Sequence, residues 1–114
     1  MNKICTTIEQ SKKLIELGID VNTADMFWAD GERPAVWNNK DISLDEMDVP
    51  AWSLAALVNV MRLDYYIEST LCILTNRFTY SIGAGYLKIN TDEYDELVDA
   101  CYEMIIRLKE NDLL

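Results

Sequence analysis

The stretch of residues 49–61, VPAWSLAALVNVM, constrains the fold more than any other part of this chain. Pro50 fixes its own φ angle and disfavours a helical conformation at Val49, so the chain should arrive there extended. The Ser53 hydroxyl can then accept a hydrogen bond from the free N–H groups of a first helical turn. The sequence therefore predicts an extended segment that turns into a helix at about Ser53.

The predicted helix has one apolar stripe, because its large apolar side chains recur at the spacing of a single helix face. They are Leu54, Leu57, Val58 and Met61. Ala55 and Ala56 add little bulk, so another backbone can come close on that side. Trp52 stands at the entrance, and we favour packing over ligand stacking for its large ring, whose one N–H needs an acceptor. We interpret residues 49–61 as the hub around which a sheet and a long C-terminal helix pack.

Length and composition predict one domain over residues 1–114. A chain of 114 residues has the commonest size of a single domain, and 50% of its residues are hydrophobic, so a core can form without metal or disulfide bonds. Cys5, Cys72 and Cys101 are widely spaced and odd in number, so we expect reduced thiols. The chain contains no histidine, which removes the commonest general base and metal ligand.

The apolar runs of the sequence are short. None approaches the roughly 18 residues that a membrane span requires. The first residues, MNKICTT, lack the apolar core of a signal peptide. We therefore expect a cytoplasmic protein that does not contact a membrane.

The excess negative charge is confined to two short windows. The chain has 20 acidic and 10 basic residues, a formal net charge of −10. The first acidic window consists of Asp41, Asp45, Glu46 and Asp48. The second acidic window consists of Asp92, Glu93, Asp95, Glu96, Asp99 and Glu103. Because Lys and Arg supply most of a protein's affinity for phosphate backbones, this charge argues against direct nucleic-acid binding.

The N-terminal third of the sequence predicts a helix and then a hairpin. Two capping boxes overlap at the start of a helix over residues 7–17: Thr6 with Glu9, and Thr7 with Gln10. Gly18 ends this helix. Residues 26–37 predict two short strands joined by a two-residue turn at Asp30-Gly31. Pro34 places the second of these strands at a sheet edge.

The C-terminal half predicts an antiparallel meander and a long helix. Residues rich in β-branched and aromatic side chains predict three strands, at 64–75, 78–82 and 86–89. A heptad-like apolar stripe predicts a helix over residues 93–110, with Thr91 or Asp92 as its N-cap.

These elements predict an α+β fold, with three helices packed on one face of a small antiparallel sheet of about three strands. The sequence does not decide whether the N-terminal hairpin adds to this sheet. The motifs GIDVNTADM (residues 18–26) and VPAWSLAAL (residues 49–57), followed by a closing amphipathic helix, resemble a family of small proteins common in gut Bacteroidetes and their prophages or other mobile elements. The resemblance spans most of the chain and implies a mobile-element origin, but no assigned activity and no catalytic residue.

Side chains that could carry catalysis have simpler structural roles. The acidic pairs lie in stretches typical of solvated surface, whereas acid–base work needs a carboxyl group in apolar surroundings. Neither acidic window has the ligand spacing of a calcium loop. No cysteine has the basic neighbours that would lower its thiol pKa, and Gly83-Ala84-Gly85 lacks the lysine of a phosphate loop. We therefore predict no enzyme activity, no catalytic residue, no metal and no cofactor.

Trp28 and Trp37, on the two arms of the predicted hairpin, are the residues most suggestive of recognition. If both point outward they form an aromatic patch that fits a protein partner. An equally good alternative closes one or both over the hub. The first acidic window is a second candidate contact surface.

Our leading hypothesis is a small non-enzymatic interaction or accessory protein of mobile-element origin, whose protein partner is unknown. The alternative is an acidic decoy that mimics phosphates and occupies a nucleic-acid-binding protein. The decoy requires the carboxylates of both windows to line one continuous surface. A homodimer is a further possibility, if the strands or the hairpin carry a self-complementary apolar surface.

Overall fold

The computed structural model describes residues 3–37, 43–61, 67–72, 77–82, 87–90, 94, 96–112 and 114. Within these ranges the chain has the predicted α+β fold. The helices are α1 (Ile8–Glu16), α2 (Leu54–Val60) and α3 (Leu97–Glu110), and a short 3₁₀ turn covers Val21–Thr23. The strands are β1 (Met26–Ala29), β2 (Arg33–Val36), β3 (Val49–Ala51), β4 (Ile67–Cys72), β5 (Arg77–Ile82) and β6 (Leu87–Asn90).

The described strands form two antiparallel sheets of three strands each. The order β4-β5-β6 confirms the predicted meander. The other sheet has the order β2-β1-β3, so the hairpin gains β3, where we expected only extended chain. Strand β2 lies at the edge, as Pro34 predicted. Helix α1 lies against β3, whereas α3 contacts β5, β6 and α2, so the placement of all three helices on one sheet face is not confirmed.

The hairpin turn is longer than predicted. Ala29 pairs with Arg33, which leaves the three residues between them as the loop. Asp30 and Gly31 have φ angles of 52° and 72°, so the positive φ values expected of this dipeptide are present. The Asp48 carboxylate accepts a hydrogen bond from the Asp30 N–H at 2.8 Å, and this contact fixes the tip of the hairpin.

The caps of α1 and α2 are those that the sequence predicts. Thr7 and Gln10 form the capping box: the Thr7 N–H donates to the Gln10 side-chain oxygen at 2.9 Å, and the Gln10 N–H donates to the Thr7 hydroxyl oxygen at 3.1 Å. Gly18 follows α1 with a φ of 91°, a value that glycine adopts without strain. Ser53 caps α2 by accepting a hydrogen bond from the Ala56 N–H at 3.2 Å.

The hub forms much of the core, and three of the four residues in the predicted stripe of α2, Leu54, Leu57 and Met61, pack in it. Trp52, Ala56 and Leu57 are buried, whereas Val58 is 38% exposed. The buried Ala56 is small, so a neighbouring element can approach α2 closely, and α3 contacts this helix. The rest of the buried cluster comes from both other helices and the loop after α1: Leu14, Ile19, Ala24, Met61, Val98, Cys101, Met104, Ile105 and Leu108.

Helix α3 begins later than predicted. Its N-cap is Glu96, which is extended (φ −123°) and makes no side-chain capping bond. Its carboxylate instead accepts the Lys3 N–H at 3.0 Å, a contact from the far end of the chain that no local pattern signals. The predicted caps, Thr91 and Asp92, lie outside the described residues.

Candidate protein-contact cleft

Thr6 attaches the N-terminal segment, residues 3–7, to the hub. Its N–H donates to the Trp52 carbonyl oxygen at 2.9 Å, and the Trp52 N–H donates to Thr6 Oγ1 at 3.1 Å. Ser11 Oγ gives its hydrogen to the Thr7 carbonyl, so the 2.7 Å bond between the Thr6 and Ser11 hydroxyls has Thr6 as donor. Thr6 is fully buried and each of its polar groups has a partner, so this residue holds the segment in one position.

Thr6 also positions Trp28. Its indole Nε1–H donates to the Thr6 carbonyl oxygen at 2.9 Å. Side chains directly opposite each other on paired strands share a sheet face, so Trp28 lies on the face of Pro34 and Val49. The indole is half-buried, and with its one donor used it can offer a ligand only its ring surface.

A surface cleft of about 360 Å³ opens between the N-terminal segment, the first sheet and the start of α3. Its walls are mainly apolar, and one rim carries Ile4, whose side chain is 57% exposed. The lining residues are Lys3, Ile4, Cys5, Thr7, Trp28, Pro34 and Glu96. A cleft of this size accepts one or two side chains of a partner.

The charged groups beside the cleft differ in whether they have a partner of opposite charge. The Lys3 ammonium is paired with the Asp99 carboxylate, which also accepts the Gln10 side-chain N–H at 2.8 Å. The Glu96 carboxylate accepts only the neutral backbone N–H of Lys3 among the hydrogen bonds of the described residues. One negative charge on this rim therefore lacks a cation within the described part of the chain.

The Cys5 thiol lines the cleft but is not activated. Burial raises its pKa, and the Asp25 carboxylate raises it further, while Lys3 acts in the opposite direction. The thiol is therefore protonated at neutral pH and is a poor nucleophile. Cys101 is buried in the core, and this raises the pKa of its thiol to about 12. Cys5 and Cys101 are both free, outside any disulfide bond.

The two candidate tryptophans lie on opposite faces of the first sheet. The Trp37 N–H donates to the Asp25 carbonyl at 2.9 Å, which continues the β1–β2 register by one pair beyond Met26 and Val36. Alternation along the strands then turns Trp37 away from the Trp28 face, and its ring packs against the core cluster. Trp28 alone borders the cleft, so the two rings do not make one patch. Their role as protein contacts stays a prediction.

The first acidic window lies beside the hairpin tip rather than in the cleft. Asp45 and Glu46 are exposed, while Asp48 is half-buried and binds the N–H groups of Asp30 and Asp45. Asp41 lies outside the described residues. Of this window, Asp45 and Glu46 have the exposure that a contact surface needs.

The residues that complete the cleft were missed from the sequence. Lys3 and Ile4 precede the first predicted element, and the sequence marks Thr6 only as an alternative helix cap. Their partners, Trp28, Trp52 and Glu96, are at least 22 residues away along the chain. The one usable signal was the apolar Ile4-Cys5 pair directly ahead of the capping box.

Within the described residues, no group of three or more His, Cys, Asp and Glu side chains could hold a metal ion. None of the helices described is both long and apolar enough to cross a membrane. No family model, no curated protein and no solved structure matches the chain.

Proposed function

We propose that this protein is a small non-enzymatic interaction protein that holds side chains of a partner protein in the cleft beside Trp28. The observation that carries the proposal is the apolar cleft itself, open to solvent and rimmed by the exposed Ile4. Exposed apolar surface in a concave site favours binding because its burial releases ordered water.

Hydrogen bonds and an ion pair hold the walls of the cleft in place. Thr6 is buried and bonded to both Trp28 and Trp52, and Lys3 joins the segment to α3 through Glu96 and Asp99. A site that is ordered before binding loses less conformational entropy when a partner arrives. This supports recognition of a partner by a rigid cleft.

The edge of the first sheet favours side-chain insertion over strand addition. In an antiparallel ladder, hydrogen-bonded and non-hydrogen-bonded residue pairs alternate. Asp25 and Trp37 are a hydrogen-bonded pair, and counting along the register from there makes Trp28 and Pro34 a non-hydrogen-bonded pair. Pro34 therefore has its N atom, which lacks a hydrogen, on the outer side of β2. An added strand would lose a hydrogen bond at this position.

The acidic decoy remains the alternative, with less support from the contacts. Phosphate mimicry needs carboxylates that are free to meet a basic protein surface. Asp48 binds backbone N–H groups, Asp99 is paired with Lys3, and Glu103 lies 3.7 Å from Arg107. These three carboxylates of the two windows already serve the fold. A cytoplasmic location and a mobile-element origin belong to the proposal as predictions from the sequence.

Site-specific photo-crosslinking tests the proposed function. A benzophenone amino acid replaces Ile4 at the cleft rim or, as the matched control, Ile15, an exposed apolar residue (37%) on α1. We expect an adduct with a partner protein, or with a second copy if the protein self-associates, from position 4 and not from position 15. Equal adducts at both positions, or none at position 4, would contradict the proposal.

A further inference from the structure

We infer that the cleft selects a basic side chain of its partner, arginine before lysine, set next to an apolar residue. This inference rests on the proposed function and adds the chemistry of the partner. It joins two observations on residues that line the same cleft: the Trp28 ring and the Glu96 carboxylate.

Glu96 supplies the charge. Lys3 and Asp99 neutralise each other in their ion pair, whereas the bond from the Lys3 N–H to Glu96 leaves the full negative charge of Glu96 in place. The N–H bond occupies Oε2, and a carboxylate has acceptor positions to spare on its other oxygen. The net charge of −10 gives the surroundings the same sign, so the field of the whole protein favours a cation here.

Trp28 supplies the surface on which the cation lies. Its Nε1–H is bonded to the Thr6 carbonyl, so the π-face of the ring is what remains for a ligand. Cations are attracted to that face, most strongly on tryptophan. A planar guanidinium stacks on an indole and forms directed bonds to a carboxylate at the same time, which an ammonium does less well. The apolar wall at Ile4 and Pro34 accepts a neighbouring aliphatic side chain.

The start of α3 would by itself favour an anion, since a helix N-terminus carries partial positive charge. That position is already filled from within the chain, because Glu96 is the N-cap residue and Asp99 lies in the first turn. Among the described residues at this site, an anionic ligand would therefore meet the carboxylates of Glu96 and Asp99 against the cation of Lys3, so the anionic alternative is the weaker one.

Three blocked amino acids serve as probes: the N-acetyl methylamides of arginine, citrulline and leucine. Citrulline has the length and shape of arginine without its charge. The Trp28 Nε1–H resonance is followed in ¹⁵N–¹H NMR spectra during titration. We expect arginine to shift this resonance with an affinity about five-fold or more above that of citrulline. Added salt should weaken the arginine effect and leave leucine unchanged.

The variant Glu96→Gln separates charge from shape. Glutamine can still accept the Lys3 N–H, so the fold at α3 is retained. We expect arginine affinity to fall about two- to three-fold, toward that of citrulline, because the Trp28 ring still attracts the cation, with no change for leucine. Glu16→Gln, at an exposed site on α1, is the control for net charge and should leave arginine binding unchanged.

Arginine binding no tighter than citrulline, or unaltered by Glu96→Gln, overturns the inference about basic partners. The same holds if none of the probes shifts the Trp28 signal. The proposed function is judged separately by crosslinking at position 4. A specific adduct there, with no arginine preference, would retain the interaction protein and reject only its basic partner.

Discussion

Thr6 and Trp52 are joined by two hydrogen bonds that run in opposite directions, from the Thr6 N–H to the Trp52 carbonyl and from the Trp52 N–H to Thr6 Oγ1. Both residues are fully buried. The pair attaches the start of the chain to the hub, and through the Thr6 carbonyl it also positions Trp28. One threonine thus serves both the stability of the core and the shape of the cleft.

The Thr6 hydroxyl should contribute to stability. Thr6→Val keeps the side-chain shape but leaves the buried Trp52 N–H without its acceptor, so we expect a loss of about 1–3 kcal/mol in the free energy of unfolding. Thr6→Ser keeps the hydroxyl and should cost about 1 kcal/mol, the value of one buried methyl group. Urea denaturation checks both variants. A serine variant less stable than the valine variant would contradict the assigned role of the hydroxyl.

Asp25 should stabilise α2 although it lies outside that helix. Its carboxylate accepts hydrogen bonds from the N–H and the hydroxyl of Ser53, which in turn caps Ala56. We expect Asp25→Ala to lower the unfolding free energy by about 1–2 kcal/mol. Asp20→Ala removes a comparable cap from the exposed turn at Asn22 and should cost about 0.5 kcal/mol. Thermal unfolding measures both variants. Equal losses of stability would contradict the role of Asp25 in stabilising α2.

Two adjacent residues of α2 test which of its faces is buried. Leu57 is fully buried, so Leu57→Ala should cost about 2–5 kcal/mol through lost burial and a residual cavity. Val58 is 38% exposed, and Val58→Ala should change stability by less than about 0.5 kcal/mol. Denaturant midpoints measure both effects. Comparable losses from the two variants would show that Val58 packs in the core, as the sequence predicted.

The Cys101 thiol makes stability depend on pH above neutrality. Burial raises its pKa from 9.0 to about 12, so the folded chain keeps a proton that the unfolded chain releases. The contribution is complete below pH 9.0 and is lost as the pH rises toward about 12, with a slope of at most about 1.4 kcal/mol per pH unit.

Unfolding free energies of wild type and Cys101→Ala, measured from pH 8 upward on the alkaline side of neutrality, isolate this contribution. The variant lacks the thiol, so its stability should decline less steeply with pH than that of the wild type. Curves that stay parallel would show that another group is responsible.

Short-range signals in the sequence predicted the local structure well. The capping box of Thr7 and Gln10, the Ser53 cap and the positive φ values at Asp30-Gly31 are all present. Each depends on groups within about four residues of one another, so the pattern contains all the interacting partners. The meander followed in the same way from strand propensity and turn residues.

The errors arose where a distant partner decided the outcome. One residue of the α2 stripe was misjudged: Val58 is exposed, whereas Ala56, which lies outside the stripe, is buried. The start of α3 was misjudged: Glu96 is extended and stands before the helix, and its carboxylate accepts the N–H of Lys3, 93 residues away. A helical pattern records which residues can share a face, but not which neighbour arrives to cover it.

By itself the sequence determined the class of fold, the caps of α1 and α2, the hairpin and the sites of net charge, because these follow from backbone geometry and from hydrogen bonds between near neighbours. Only the tertiary structure decided that Thr6 joins Trp28 to Trp52, that Trp37 faces the core, and that Glu96 borders an apolar cleft. The physical reason is that a cleft is formed between segments, and its shape depends on long-range packing that no single stretch of residues encodes.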